Sequence, residues 1–324
     1  MTIVRRSAYP VVTAALLTIA GLLLGSPASA GAAPTSPWRY TVVGFSNTSA
    51  RDMDVYQSGD GTDYAAVHLG AYRPPDGYVR DPSIFRNSDG TYYVTYTTAN
   101  GANIGFARST DLATWTHITD YPVPFCCAFL PGTGDGKGPI NPFGSSGSAG
   151  FQDGPSLSPF TTKAWAPDWF VEDGRVSIIL SMSTGGGFMP YLMTALDSSF
   201  QRWSWPSPIL SIGTDHIDTT IVKVGSTYHA FTKNETKKII QHAVASSLAG
   251  PYRFVTPGKW GRLVEGPAVV QLPNGKWRLY LDAYTKGRYL YSDSADGLKT
   301  WSTPKELSSL SGRVRHIGVM REPS

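Results

Sequence analysis

Apolar and polar positions alternate along this chain in short runs of period two, and the runs recur in a fixed order. Residues 88–98, SDGTYYVTYTT, set a glycine turn before alternating aromatic and β-branched positions; EDGRVSIILSMST, VGSTYHAFTKN and PNGKWRLYLDAYT repeat the arrangement further on. A period of two is that of a half-buried strand, and Asp-Gly or Asn-Gly between two such runs is a hairpin turn. A second unit follows each run: ARSTDLATWTHI, ALDSSFQRWSWP, VASSLAGPYRFV and SDSADGLKTWSTP, with a looser version, YQSGDGTDYAAV, near the start. The aromatic residues that end this unit are Tyr64, Trp115, Trp203, Tyr252 and Trp301, at steps of 51, 88, 49 and 49 residues. A Gly/Ser/Pro-rich insert between Pro122 and Thr161 accounts for the long step.

Five strand-rich units of roughly fifty residues predict an all-β, five-bladed propeller with four strands per blade. The fifth unit is short of strands. After Trp301 only RVRHIGVMRE remains, whereas WRYTVVGFSN and DMDVYQS near the start are unmatched. The two ends of the chain are therefore expected to share one blade and close the ring. No blade can bury both faces alone, so residues 31–324 form one predicted domain.

Residues 1–30 are set apart. Arg5 and Arg6, an apolar run from Val11 to Leu24, and Ala28-Ser29-Ala30 read as a secretory signal peptide, and secretion follows as an expectation. The apolar run is short for a membrane span. The net charge is +4 over 324 residues, with two of the arginines in the leader, so neither nucleic acid nor an acidic partner is expected. The two cysteines are neighbours, Cys126-Cys127, which permits a strained disulfide or two thiols and does not suggest cysteine catalysis.

Candidate chemistry stands at the start of the inner strands. VRDPSIF, KAWAPDWFV, DHIDTTIV, LVEGPAVV and VRHIGVM precede the five hairpins, with Asp81, Asp168, Asp218, Glu265 and His316 in similar places. Radial repetition would carry one polar residue per blade to one end of the axis. A single such acid is as well explained by turn capping. Gathered together, carboxylates repel, and one is pushed to hold a proton while another stays ionised, the pairing that glycoside hydrolysis uses. Trp165 and Trp169 suit the apolar face of a sugar. Signatures of serine hydrolases, zinc proteases and phosphate-binding loops are missing from the sequence.

At Arg80-Asp81-Pro82-Ser83, Trp165-Ala166-Pro167-Asp168 and Glu265-Gly266-Pro267 the chain resembles glycoside hydrolase family 43, over the whole of residues 31–324. The resemblance implies a five-bladed propeller that inverts anomeric configuration. It implies Asp81 as general base, Glu265 as general acid and Asp168 as the carboxylate that raises the acid's pKa. An inverting base and acid should stand roughly 6.5–9.5 Å apart. Arg80, Trp165, Asp218 and His316 are the expected substrate-binding residues. His316 matches the family's axial histidine, where a calcium or sodium ion can be held through water; no cofactor is required. Arg80 departs from the histidine many members carry there. VRDPSIF, STGGG, YHAFTKNE and VRHIGV resemble the exo-α-1,5-L-arabinofuranosidase branch, which implies release of arabinose from plant cell-wall arabinan by a monomer without membrane partners. A β-xylosidase, an exo-β-1,3-galactanase and a non-catalytic sugar-binding propeller are the alternatives.

Overall fold

The hairpin pattern resolves into five four-stranded antiparallel sheets. The structure, a computed structural model, describes residues 36–122, 161–183 and 186–324, and Ser36–Ser324 forms one compact unit. The leader, the cysteine pair and the body of the Pro122–Thr161 insert lie outside the described residues. Blade 1 runs from the inner strand Arg80–Arg86 through Tyr92–Thr98 and Asn103–Ser109 to Thr116–Pro122. Blade 2 begins at Lys163–Glu172, blade 3 at His216–Val224 and blade 4 at Glu265–Gln271. The inner strand of blade 5 is the last of the chain, Val314–Pro323, which pairs antiparallel with Trp38–Ser46. Both ends of the chain thus share one blade, and the inner strands touch in a closed ring from blade 1 to blade 5.

The repeat detected in the sequence is the turn between the third and fourth strands. Ser109 Oγ donates to Asp111, whose carboxylate accepts the backbone N–H groups of Ala113 and Thr114; Ser58 with Asp60 and Ser294 with Asp296 build the same turn. A short polar side chain that bonds the backbone two or three residues on is the reason for Ser and Asp there. The aromatic that closes the turn is driven inward, and Trp203 is fully buried.

The core lies between blades. One apolar cluster fills each interface; that between blades 1 and 2 sets Phe85, Tyr93 and Phe106 against Trp169, Phe200 and Trp203. Trp169 is spent there, 4.5 Å from Phe85 by ring centroids, and is not free to meet a sugar. Near the C-terminus Glu322, 4% exposed, joins three elements. It takes Arg39 of blade 5 at 2.9 Å and, from blade 1, Arg86 at 3.2 Å and the Tyr92 hydroxyl at 3.0 Å.

Candidate active site

Each inner strand carries a β-bulge at the same place. In blade 1 Arg80 pairs with Thr97 and Ser83 with Thr95, so Asp81-Pro82 oppose one residue. The same two-against-one count falls at Ala166-Pro167, Asp218-Thr219, Gly266-Pro267 and His316-Ile317. The first bulged residue always has positive φ: 51° at Asp81, 49° at Ala166, 54° at Asp218, 53° at Gly266 and 39° at His316. Left-handed backbone in four non-glycine residues is costly, roughly 1–3 kcal/mol each, and such bulges re-aim side chains. Gly266 has a further reason, since a Cβ there would lie 2.9 Å from the His316 ring.

This register changes the alignment expected from sequence. Asp81, Asp218 and His316 are equivalent, but the matching residues in blades 2 and 4 are Ala166 and Gly266. Glu265 lies one place earlier, level with Arg80, Trp165, Ile217 and Arg315. Asp168 lies two places further along its strand, about 6–7 Å, level with Ser83, Thr220, Ala268 and Gly318. Aligning the strands on Pro82, Pro167 and Pro267 would have revealed the offset.

Asp81, Asp218, Glu265, His316, Arg80 and Trp165 line one cavity of about 260 Å³; Asp168 is not among its lining residues. Asp168 instead accepts the Ser83 hydroxyl at 2.6 Å, and burial pushes its carboxyl upward against that bond and one from Thr220. Through Ser83 and Thr220 it joins blades 1, 2 and 3.

In the cavity each carboxylate has a distinct environment. Burial would raise Asp81, yet the imidazolium of His316, 3.2 Å from Oδ1, the charge of Arg80 and the Thr97 hydroxyl, 3.1 Å from Oδ2, hold it at about 2. His316 is in turn lifted to about 9, because the charges of Asp81 and Asp218 outweigh its own desolvation. Asp218 is pushed up to about 6, first by burial and then by the charges of Glu265 and Asp81, against the pull of His316 and Lys233. Its Oδ2 accepts the Gly266 N–H at 3.2 Å and lies 3.9 Å from His316. Glu265 is gripped on both oxygens, by Lys233 at 2.8 Å and Arg315 at 2.6 Å. Arg315 also holds Asp282 at 2.6 Å, a buried carboxyl raised to about 6 by desolvation, and Asp282 accepts the His316 N–H.

The cavity wall adds residues not foreseen. Lys233, 4% exposed, links Glu265 to Glu235, and its ammonium sits 5.1 Å from the Tyr284 ring centre. The run YHAFTKNE held the signal, since Lys233 and Glu235 alternate at its end. Trp165 stacks on Phe188 at 4.5 Å between centroids and presents an aromatic wall. Among the described residues no three His, Cys, Asp or Glu side chains converge as metal ligands. The axial histidine presents a cation already engaged by two carboxylates, which fits a directly bound metal ion poorly.

A glycosyl hydrolase family model described as a "probable glycosyl hydrolase domain", related to family 43, matches residues 73–321. No curated protein sequence matches the chain. Among solved structures it is similar to an endo-1,4-β-xylanase of Bacteroides thetaiotaomicron, at 15% identity and a TM-score of 0.56, over 86% of this chain and 93% of the other. A family 43 β-1,3-galactosidase aligns at 11% identity and a TM-score of 0.60, over 85% and 58% of the two chains. An α-L-arabinofuranosidase of Lactobacillus brevis aligns at 19% identity and a TM-score of 0.45, over 70% and 73%. At these identities the likeness concerns the fold, and the family model adds what the fold alone does not: this chain belongs to the family 43-related glycosyl hydrolases.

Proposed function

We propose that the cavity hydrolyses a glycosidic bond with inversion, with Asp81 as general base, Glu265 as general acid, and Asp218, rather than Asp168, as the carboxylate coupled to the acid. The observation that carries this reading is the convergence of Asp81, Asp218 and Glu265 in one cavity, with His316 3.2 Å from Asp81. A base must be ionised, and Asp81 is, because His316 neutralises it. An acid must deliver a proton, and two carboxylates that repel favour keeping one proton between them. Asp218, pushed up to about 6, carries a proton in the cavity below that pH, and Glu265 is fixed in the same cavity by Lys233 and Arg315. In balance, Asp81 takes a proton from water as its oxygen attacks the anomeric carbon, the glycosidic bond breaks, and the leaving oxygen takes a proton from the Glu265 pair.

The sugar we propose is a terminal L-arabinose of α-1,5-arabinan or arabino-oligosaccharides, acted on by a secreted enzyme. The support is the likeness of VRDPSIF, YHAFTKNE and VRHIGV to that branch, together with a cavity small enough for one sugar unit. The test is a product profile on linear α-1,5-arabinan, xylo-oligosaccharides and β-1,3-galactan. Arabinose as the sole early product supports the reading. Xylose or galactose keeps the chemistry and replaces the sugar. Binding without release from any of them removes catalysis. The acid is identified separately with Glu265→Gln, expected to slow unactivated substrates by roughly 10²–10⁴-fold while sparing aryl glycosides with good leaving groups. If Asp218→Asn shows that split and Glu265→Gln does not, the roles are exchanged.

A further inference from the structure

On the second strand of each blade, one residue stands across from the position that precedes the bulge. It is Thr97 in blade 1, Ser181 in blade 2, Lys233 in blade 3, Asp282 in blade 4 and Phe45 in blade 5. A bulged residue is left out of the ladder, and its buried N–H needs another acceptor. In blades 1 and 2 this facing residue supplies one to the next blade. Thr97 Oγ1 accepts the Ala166 N–H at 2.9 Å, and Ser181 Oγ accepts the Asp218 N–H at 3.1 Å. A hydroxyl is enough for that task.

Blades 3 and 4 depart from the pattern. Lysine cannot accept, so Lys233 binds Glu265 and the Gly266 N–H goes to Asp218 instead. Asp282 keeps the capping task, since its Oδ2 accepts the His316 N–H at 3.1 Å. Yet it is a carboxylate, 1% exposed, where a hydroxyl serves two other blades. A buried charge is costly unless it is paired, and its partner here is Arg315. Arg315 Nε lies 2.6 Å from the same Oδ2, while its Nη2 lies 2.6 Å from Glu265 Oε1. One guanidinium is thus shared between Glu265, in the cavity wall, and Asp282, which does not line the cavity.

Two cations on one carboxylate favour its ionised form. Glu265 has both Lys233 and Arg315 against it, a poor setting for a site that must give a proton. A counter-charge behind Arg315 weakens that pull. The other groups facing Asp282 do not compete for this part. Glu265 and Tyr289, from the first and third strands, are not cations, and His316 meets it through the backbone with its ring against Asp81.

We infer that Asp282 is a positioning residue that divides the charge of Arg315, so that the Asp218 and Glu265 carboxyls can keep a proton beside two cations. The inference rests on the hydrolase reading for the use made of that proton. Asp282 gains its own charge near pH 6, so its effect belongs above that pH.

Asp282→Asn separates the two tasks, because its amide oxygen can still accept the His316 N–H while the charge is gone. Carbon-13 NMR titration of the Asp and Glu carboxyls of the full chain is expected to show the cavity acids losing their proton about one pH unit lower in this variant. Asp282→Thr, which copies the cap of blade 1, should give the same shift and guards against an asparagine variant that fails to fold. With Arg315→Gln already in place, Asp282→Asn should add no shift, since a buried Asp282 without its arginine no longer holds a charge. On α-1,5-arabino-oligosaccharides the fall of kcat/KM above pH 6 should move down with the titration. An unchanged titration, or a shift that persists without Arg315, would overturn the inference. Turnover without the shift keeps the hydrolase and removes Asp282's role. The shift in a protein that cleaves no glycoside keeps Asp282's role and removes the hydrolase.

Discussion

The inner strands of blades 1 and 2 are built alike and used differently. Both begin with a bulge whose second residue is proline and whose first has a left-handed backbone, at Asp81-Pro82 and Ala166-Pro167. Blade 1 places an acid on the bulge and so in the cavity. Blade 2 places alanine there and its acid two residues on, where Ser83 and Thr220 engage it. The same residue type on the same scaffold lines the cavity in one register and becomes a strut in the next. Ser83 ties the two together: its hydroxyl donates to Asp168 and its carbonyl accepts the Trp169 indole N–H at 3.1 Å. The blade 2 acid thus helps to hold the strand on which the blade 1 acid stands.

The widest separation between the two strands should appear in activity. Asp81→Asn is expected to cost roughly 10²–10⁴-fold in kcat on substrates with good and poor leaving groups alike. Asp168→Asn should cost far less, and a comparable loss in both variants, at unchanged folding, would return Asp168 to the chemistry. The pH profile sharpens the contrast. Asp81 at about 2 leaves the base ionised through mild acid, whereas the Asp218 pair gives up its proton above about 6. The predicted kcat/KM is flat from pH 4 to 5.5 and falls above 6, and Asp218→Asn should abolish or move that fall; a limb indifferent to Asp218 assigns it elsewhere.

Stability should rank the strands the other way. Asp168→Asn loses a charged acceptor from a bond that spans blades, a cost of about 1–3 kcal/mol, read as a lowered denaturation midpoint. Asp81→Asn also has a stability cost, visible in its pH dependence. The native pKa is depressed, so the contribution is present above about pH 4 and fades as pH falls toward 2. The smallest expected effect is at Ala166, whose φ of 49° suits glycine. Ala166→Gly should be neutral or stabilising by up to about 1 kcal/mol, and a clear loss would mean that its methyl group is needed where blades 1 and 2 meet.

Much of the fold could be read from the chain because its signals are local. Asp89-Gly90 marks a hairpin, and Ser109, Asp111 and Trp115 mark the turn that recurs in other blades. The shared blade followed from counting strands. The residues of the cavity were also legible in large part, since Arg80, Asp81, Trp165, Asp218, Glu265 and His316 all reach it. The phase within each strand was not. A bulge inserts one residue without a distinctive side chain, and each such residue moves the following ones to the other face. Asp168 was misaligned for this reason, and Trp169 went with it into the interface between blades. Lys233, Arg315 and Asp282 were unreadable as a set, because ion pairs between residues 32 to 50 positions apart leave no local pattern.

The closing strand has a consequence for how the molecule comes into being. Val314–Pro323 lines the axis next to blade 1, and Glu322 is fastened to Arg39, Arg86 and Tyr92. During synthesis, the four blades that precede this strand emerge with their hairpins complete, yet the circle has no final member. His316, the counter-charge that keeps Asp81 ionised, arrives with it. Without this strand the other sheets keep their hairpins and the Lys233–Glu265 pair, but Asp81 lacks its His316 partner and Glu265 lacks Arg315.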